Sequence, residues 1–489
     1  MTAILVSNRV ARPKPDEPIA GGLAAALLPA VKNSGAIWVG SSGRVTASGA
    51  KEPLAEVQPL GAGALATVDM PGAHYHRFYE GFANSVLWPA FHSRIDLIRA
   101  DAEDYASYRE VNAFMARAVM RFARPDAIFW IHDYHFLTLA AELRQRGITQ
   151  PIGFFLHTPF PSRAVMTSVP RHRELIVAML SYDLIGFQTD DDLLNFAEYL
   201  THELRLNGED DVFYYRGRAV RLAAFPIGID VNSFSERATR AAARPEVARL
   251  RASLAGRKLA IGVDRLDYSK GLPSRMRALD RMFEIYPETR KSMHMLQIAV
   301  PTREQINAYQ QLQHELAALV GEVNGRHGDV DWTPIRYINK SFSQAALAGF
   351  YRSAEVGLVT PFQDGMNLVA KEYVAAQNPL DPGVLVLSEF AGAARQLDAA
   401  LLVNPHDIDG MAKAVMRALT MPLAERRERW NVMIDCLKTS TLDDWFRDFI
   451  GSLEEVRTSV PAPQRAAASP AVVPSASTRD RIIGTAIGQ

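Results

Sequence analysis

Leu259-Ala260-Ile261-Gly262-Val263-Asp264-Arg265-Leu266-Asp267-Tyr268-Ser269-Lys270-Gly271-Leu272-Pro273 decides how this chain is read. Its opening apolar run suits a strand covered on both faces, as in a parallel sheet. Pro273 suits the first turn of a following helix, where a missing N–H removes no helical hydrogen bond. A strand, a short polar loop and a helix make half of a β/α unit, and in open sheets of such units ligands sit beyond the carboxyl ends of the strands. Arg265 and Lys270 therefore fall on the strand-to-helix loop, where two cations beside free helix amides suit a diphosphate. The competing reading is a surface loop whose cations pair with Asp264 and Asp267.

The same alternation extends both ways from this segment. Downstream, strands are predicted near 295–300, 335–338, 356–360, 384–387 and 401–403, with helices at 273–285, 303–322, 344–352, 367–376 and 409–419. Upstream, strands are predicted at 4–7, 37–40, 128–132, 152–157, 184–187 and 223–227, with helices such as 137–146 and 191–204. A polar helical stretch around 230–257 separates the halves. The pattern predicts an α/β protein of two doubly wound domains facing each other across a cleft. The expected division is 1–235, 236–440 and a last helix at 441–457, followed by a Pro/Ala/Ser-rich segment at 458–489 with little to pack.

Composition narrows the function. With 489 residues, 48% hydrophobic and 22% charged, the chain is neither disordered nor fibrous. Its 54 Lys and Arg balance 54 Asp and Glu, so the broad basic footprint of a general nucleic-acid binder is missing. The single cysteine, Cys436, excludes an internal disulfide and a thiolate metal cluster. Met1-Thr2-Ala3-Ile4-Leu5-Val6-Ser7-Asn8-Arg9 is too short for a signal-peptide core, and no run reaches the ~20 apolar residues of a membrane span. A cytoplasmic protein is the expectation.

Other strand ends are also polar. Ser7-Asn8-Arg9 precedes a loop ending in Ala20-Gly21-Gly22-Leu23, where a glycine pair lets backbone amides approach an anion or simply makes a turn. In Thr360-Pro361-Phe362-Gln363-Asp364-Gly365-Met366-Asn367-Leu368, Asp364 suits sugar hydroxyls, the amides beyond Gly365 can donate, and Glu372 suits a vicinal diol; helix capping is the plainer alternative. Trp130-Ile131-His132-Asp133-Tyr134-His135 and Phe155-Leu156-His157-Thr158-Pro159-Phe160-Pro161 place His157 or Asp133 toward the cleft. Asp190-Asp191-Asp192 reads as a helix start rather than a metal site. A Walker loop and a Gly-x-Ser-x-Gly elbow are both absent from the sequence.

Taken together, these segments resemble the trehalose-6-phosphate synthase family, retaining glucosyltransferases of the two-Rossmann-domain GT-B type. The resemblance spans about residues 1–455. It rests on Val6-Ser7-Asn8-Arg9, Gly21-Gly22-Leu23, Leu87-Trp88-Pro89, His132-Asp133-Tyr134-His135 and Leu156-His157-Thr158-Pro159-Phe160-Pro161, then on the 263–271 segment, Asp364-Gly365-Met366-Asn367-Leu368-Val369-Ala370-Lys371-Glu372 and Ser388-Glu389-Phe390-Ala391-Gly392. It implies transfer of glucose from UDP-glucose to glucose 6-phosphate, giving α,α-1,1-linked trehalose 6-phosphate and UDP, with no metal or other cofactor, by a homodimer or tetramer. It also implies roles for single residues. Arg265 and Lys270 hold the donor diphosphate with the Gly22 amide, Glu372 binds the ribose, and Asp364 with the backbone of Gly365, Met366, Asn367, Leu368 and Val369 orients the glucose. His157 meets the donor glucose near its 6-hydroxyl. Arg9, Tyr79, Trp88 and Arg303 surround the acceptor, the arginines on its phosphate, and Asp133 touches the acceptor sugar. The resemblance further implies a C-terminal helix crossing back to the first domain. Gln363 stands where many relatives carry arginine. The rivals are a relative coupling another sugar phosphate or a cyclitol, and a non-catalytic regulatory subunit.

Overall fold

The computed structural model describes residues 2–10, 22–46 and 52–459. Gly21 and the Pro/Ala/Ser-rich segment from 460 onward lie outside the described residues. Within them the first sheet comprises β1 (Thr2–Arg9), β2 (Ile37–Thr46), β3 (Ala55–Leu60), β4 (Gly63–Pro71), β5 (Ala127–His132), β6 (Ile152–Phe155), β7 (Leu184–Phe187), β8 (Gly208–Glu209), β9 (Val212–Tyr215) and β10 (Arg218–Ala224). Their order is β3-β4-β2-β1-β5-β6-β7-β10-β9-β8. The centre is parallel, while β3 on β4 and the ribbon β8-β9-β10 are antiparallel. The mixed edges depart from an all-parallel expectation because these strands alternate or face water: β3 is exposed along most of its length.

The second sheet comprises β11 (Lys258–Arg265), β12 (Met293–Val300), β13 (Ile335–Ile338), β14 (Val356–Val359), β15 (Val384–Ser388) and β16 (Leu401–Val403), ordered β13-β12-β11-β14-β15-β16 and parallel throughout. That order reverses direction between β11 and β14, and the first sheet reverses between β1 and β5. Such switch points open a crevice at the strand ends. Arg9 and Asp133 lie at the first, Arg265 and Asp364 at the second.

Buried runs such as Ala127-Ile128-Phe129-Trp130-Ile131-His132 fill the sheet centres, with apolar helices on both faces. The helix Ala102–Met120 fills a long stretch that carried no predicted element. The helix expected from 303 instead spans Asn307–His327, because Arg303 sits in the left-handed region at φ 49° and breaks the helical path. The last helix, Leu442–Ser459, returns to the first sheet as expected. There Phe449 stacks on Trp130 at 4.3 Å and 9°, and a Cβ on Gly153 would lie 2.7 Å from its ring, so β6 must present glycine. Among the described residues no helix is long and apolar enough to cross a membrane.

Candidate active site

Lys270 lies on the single 3₁₀ turn after β11, and Asp364 on the loop after β14. Their side chains meet at 2.5 Å, and the Asn367 amide donates to the same Asp364 oxygen at 2.9 Å. Burial pushes the Asp364 carboxyl up, but the Lys270 ammonium outweighs it and the group ends below its ordinary value. Asn367, at φ 76°, caps the helix Leu368–Ala376 by accepting from the Ala370 N–H at 3.3 Å. Among the described residues, the amides of Gly365, Met366, Asn367, Leu368 and Val369 donate to no protein acceptor. A row of free N–H groups at a helix N-terminus favours anions and hydroxyl oxygens. The loop also touches the opposite domain: a Cβ on Gly365 would collide with the His157 carbonyl oxygen, so only glycine permits that approach.

Tyr79 and Trp88, two of the residues expected around an acceptor, sit on and at the end of an unusually wide helix. Arg77–Leu87 forms a π-helix, and within it the Asn84 side-chain amide donates to the Tyr79 carbonyl at 2.7 Å and the Ser85 hydroxyl to the Glu80 carbonyl at 2.6 Å. Such turns often accompany functional sites. The Tyr79 ring stacks between Tyr75 and His135. Trp88 follows the π-helix, with the Arg303 guanidinium 3.9 Å and that of Arg265 5.1 Å from its ring centre. Arg303 is only 5% exposed and donates to Asp267 at 3.0 Å, to the Tyr134 hydroxyl at 3.0 Å and to the Tyr309 hydroxyl at 2.5 Å. Its Nε is buried without a protein partner among the described residues. Burial alone would raise the Asp267 carboxyl, but Arg303 and Arg265 hold it far below the ordinary range.

Asp133 and His157 connect the two groups. Asp133 has φ 75° and ψ 165°, a region that costs a non-glycine residue about 1–3 kcal/mol. Its N–H donates to the Phe155 carbonyl at 2.8 Å, and its carboxylate accepts from the His157 N–H at 3.4 Å. Burial pushes the Asp133 carboxyl up to about 6 and the His157 imidazole down to about 3. His157 Nε2 lies 3.2 Å from His132 Nδ1. Beside Asp364 a cavity of about 360 Å³ opens between the domains, walled by Asp191, Asn195, Gln363, Glu389 and Arg395 among others. Gln363 uses its side chain across the cleft, accepting from Ser93 at 2.8 Å.

Of the residues singled out in the sequence, Arg265, Lys270, Asp364, Gly365, Asn367, Asp133, His157, Trp88 and Arg303 converge on one cleft. Met366 is buried, and Leu368 and Val369 are half-buried. Tyr79 joins through its aromatic stack. Arg9 is exposed at the end of β1, and the charge it carries reaches Tyr75. No hydrogen bond among the described residues links its side chain to Tyr79, Trp88 or Arg303. Glu372 stands apart from the Lys270–Asp364 pair, hydrogen-bonded to Gln344, and burial pushes its carboxyl up to about 7. Gly22 opens the helix Gly22–Ser34. The surface-loop reading of 264–270 fails: Asp264 is buried against Arg275 at 2.5 Å, and Asp267 serves Arg303.

Sequence reasoning missed Asp267, which looked like a solvated loop carboxylate, and Tyr134, which was quoted without a role. It also missed Tyr309, a helix residue 42 positions from Asp267 that carries no local signal.

Comparison with known proteins shows the family. The profile of Glycosyltransferase family 20 matches residues 10–455. A trehalose-6-phosphate synthase of Sinorhizobium fredii is 46% identical over 457 residues, 92% of this chain and 97% of its own. A Burkholderia xenovorans α,α-trehalose-phosphate synthase (UDP-forming), solved with glucose-6-phosphate, superposes with a TM-score of 0.89 at 46% identity, covering 93% of this chain and 100% of that one. An E. coli structure bound with UDP-2-fluoro glucose gives 0.88 at 40% identity, covering 93% and 99%. The chain is an enzyme of the glycosyltransferase class, and it belongs to glycosyltransferase family 20.

Proposed function

We propose that this chain transfers glucose from UDP-glucose to glucose 6-phosphate with retention, releasing UDP and trehalose 6-phosphate. The observation that carries the reading is the convergence of three cations, Arg265, Lys270 and Arg303, with five free amides from Gly365 to Val369 around one cleft. The cations divide by place. Lys270, beside the free amides, suits the diphosphate of a sugar nucleotide; Arg303 over Trp88, with Tyr79 and Arg9 beyond, suits the phosphate of the acceptor. Arg265 lies between them. Relatives solved with glucose-6-phosphate and with UDP-2-fluoro glucose support the choice of substrates.

Negative charge grows on the diphosphate as the sugar–phosphate bond breaks, and fixed donors aimed there stabilise the transition state without reorganising. Arg265 and Lys270 supply that charge, so the reaction is proposed to run without a divalent metal. The departing phosphate oxygen takes the acceptor proton on the same face of the sugar, which retains configuration. Asp364 and Asn367, locked together, suit the donor glucose hydroxyls, His157 the 6-hydroxyl and Glu372 the ribose diol. Asp133 accepts from the acceptor sugar. The protein contributes chiefly positioning and electrostatics.

The test is UDP release from UDP-glucose in EDTA with glucose 6-phosphate, fructose 6-phosphate, glycerol 3-phosphate or no acceptor, the products being identified by mass and linkage. Acceptor-dependent α,α-trehalose 6-phosphate is expected. Turnover with another acceptor alone would overturn the substrate assignment. Activity that appears only when magnesium replaces EDTA would overturn the metal-free step.

A further inference from the structure

Two histidines at the ends of neighbouring strands face each other at the back of the cleft. His132 ends β5 and is fully buried; His157 follows β6 and is half-buried. Their one shared hydrogen bond joins His132 Nδ1 to His157 Nε2 at 3.2 Å. Burial drives both rings below the ordinary histidine range, and in His132 the neighbouring His157 adds to the effect, so both are neutral at pH 7. A neutral imidazole has one N–H and one bare nitrogen. One ring of the pair must donate and the other accept, and which does so decides what His157 shows the cleft at Nδ1.

The surroundings of the far side of His132 resolve this. Its Nε2 is buried with no protein partner among the described residues, and so are the indole N–H groups of Trp130 and Trp445. Those indoles flank the His132 ring, at 4.7 Å and 6.2 Å between ring centres, and Trp130 and Trp445 are 4.7 Å apart. An indole nitrogen only donates. A proton on His132 Nε2 would add a third unpartnered buried donor beside two indole N–H groups that already lack acceptors. A bare Nε2 adds no further donor to this dry surrounding.

We infer that His132 is a positioning residue that sets the tautomer of His157: His132 donates from Nδ1 to His157 Nε2, and His157 presents an N–H, not a lone pair, at Nδ1. Trp445, on the returning C-terminal helix, takes part as one of the two indoles packed beside the His132 ring. The consequence for specificity rests on the glucosyl-donor reading above. His157 serves a sugar oxygen that accepts a hydrogen bond, so the enzyme discriminates for a donor that keeps its 6-oxygen.

Two measurements test this on the full-length protein. Nitrogen-15 spectra of labelled histidine rings, assigned by the signals lost in His132→Asn and His157→Asn, are expected to show both rings protonated at Nδ1 and bare at Nε2. A His157 ring protonated at Nε2 would overturn the assignment. In kinetics, His132→Leu is expected to lower kcat/KM for UDP-glucose about tenfold or more while hardly changing it for UDP-6-deoxyglucose. His132→Asn, whose amide N–H replaces that of Nδ1, should recover most of the loss, with melting temperatures checking that all variants fold. Equal losses on both donors, or no recovery by Asn, would reduce His132 to packing and overturn the proposal. Absence of any turnover by the unsubstituted chain would instead sink the functional reading, while the spectra still decide the tautomer.

Discussion

Asp267→Asn keeps the shape of a buried side chain and removes its charge, which makes it a sharp probe of the cleft. One carboxylate oxygen accepts from Trp88 Nε1 at 3.4 Å and from the N–H and hydroxyl of Ser269, each at 3.0 Å. The other accepts from Arg303 at 3.0 Å and Tyr309 at 3.2 Å. Each oxygen has a partner that can only donate, Trp88 and the Ser269 N–H on one side and Arg303 on the other, so the new NH₂ meets a donor whichever way the amide turns. Arg303, almost wholly buried, loses its counter-charge. Breaking one side of a buried ion pair typically costs about 3–5 kcal/mol, and that is the expected loss in urea unfolding followed by tryptophan fluorescence.

The pH dependence adds a second constraint. The folded Asp267 carboxyl lies below its unfolded value, so the contribution to stability is complete above the ordinary carboxylate pKa and is lost as pH falls through the lower folded one. The gap between the two proteins should therefore stay level between about pH 5 and pH 8 and narrow only below about pH 4. A gap under about 1 kcal/mol, or one that closes toward pH 8, would refute the argument.

Arg265→Ala should lower kcat about 10²-fold or more while changing stability by less than about 0.5 kcal/mol, because the side chain is exposed and forms no ion pair among the described residues. Unchanged turnover would remove Arg265 from the leaving-group site. Glu372 behaves oppositely to Asp267: burial lifts the folded carboxyl to about 7, so its contribution is present in acid and lost as pH rises through that value. Glu372→Gln should escape this loss and be the more stable protein at about pH 8, at the expense of donor binding; identical pH profiles by calorimetry would show that the carboxyl is not strained by burial.

What the sequence made legible followed from burial. The central strands of both sheets are continuous apolar runs, and their polar ends mark the crevice, so Asp133, Arg265 and Asp364 were found from position alone. The edge strands β3, β8 and β9 alternate or face water and offered no such run. The π-helix at Arg77–Leu87 was invisible because hydrophobic spacing does not distinguish its wider turn over so few residues. Arg303 was assigned to a helix that begins four residues later, since periodicity says nothing of a single residue at positive φ. Asp267 was the costliest omission. A loop aspartate between Arg265 and Lys270 looks solvated until the fold brings Trp88 from one domain and Arg303 and Tyr309 from the other to the same carboxylate.

The amides from Gly365 to Val369 carry a consequence for how such a site drifts. They belong to the peptide chain, so no exchange of one side chain for another deletes a donor, and only proline at one of those positions would. What must persist is the path of the loop: the glycine that clears the His157 carbonyl, and the Asn367 side chain that starts the helix in a left-handed conformation. The side chains of Met366, Leu368 and Val369 can change within what packing allows while the donor array endures. Alanine scanning along the loop would underrate it, whereas replacing single amide linkages by esters would expose it directly.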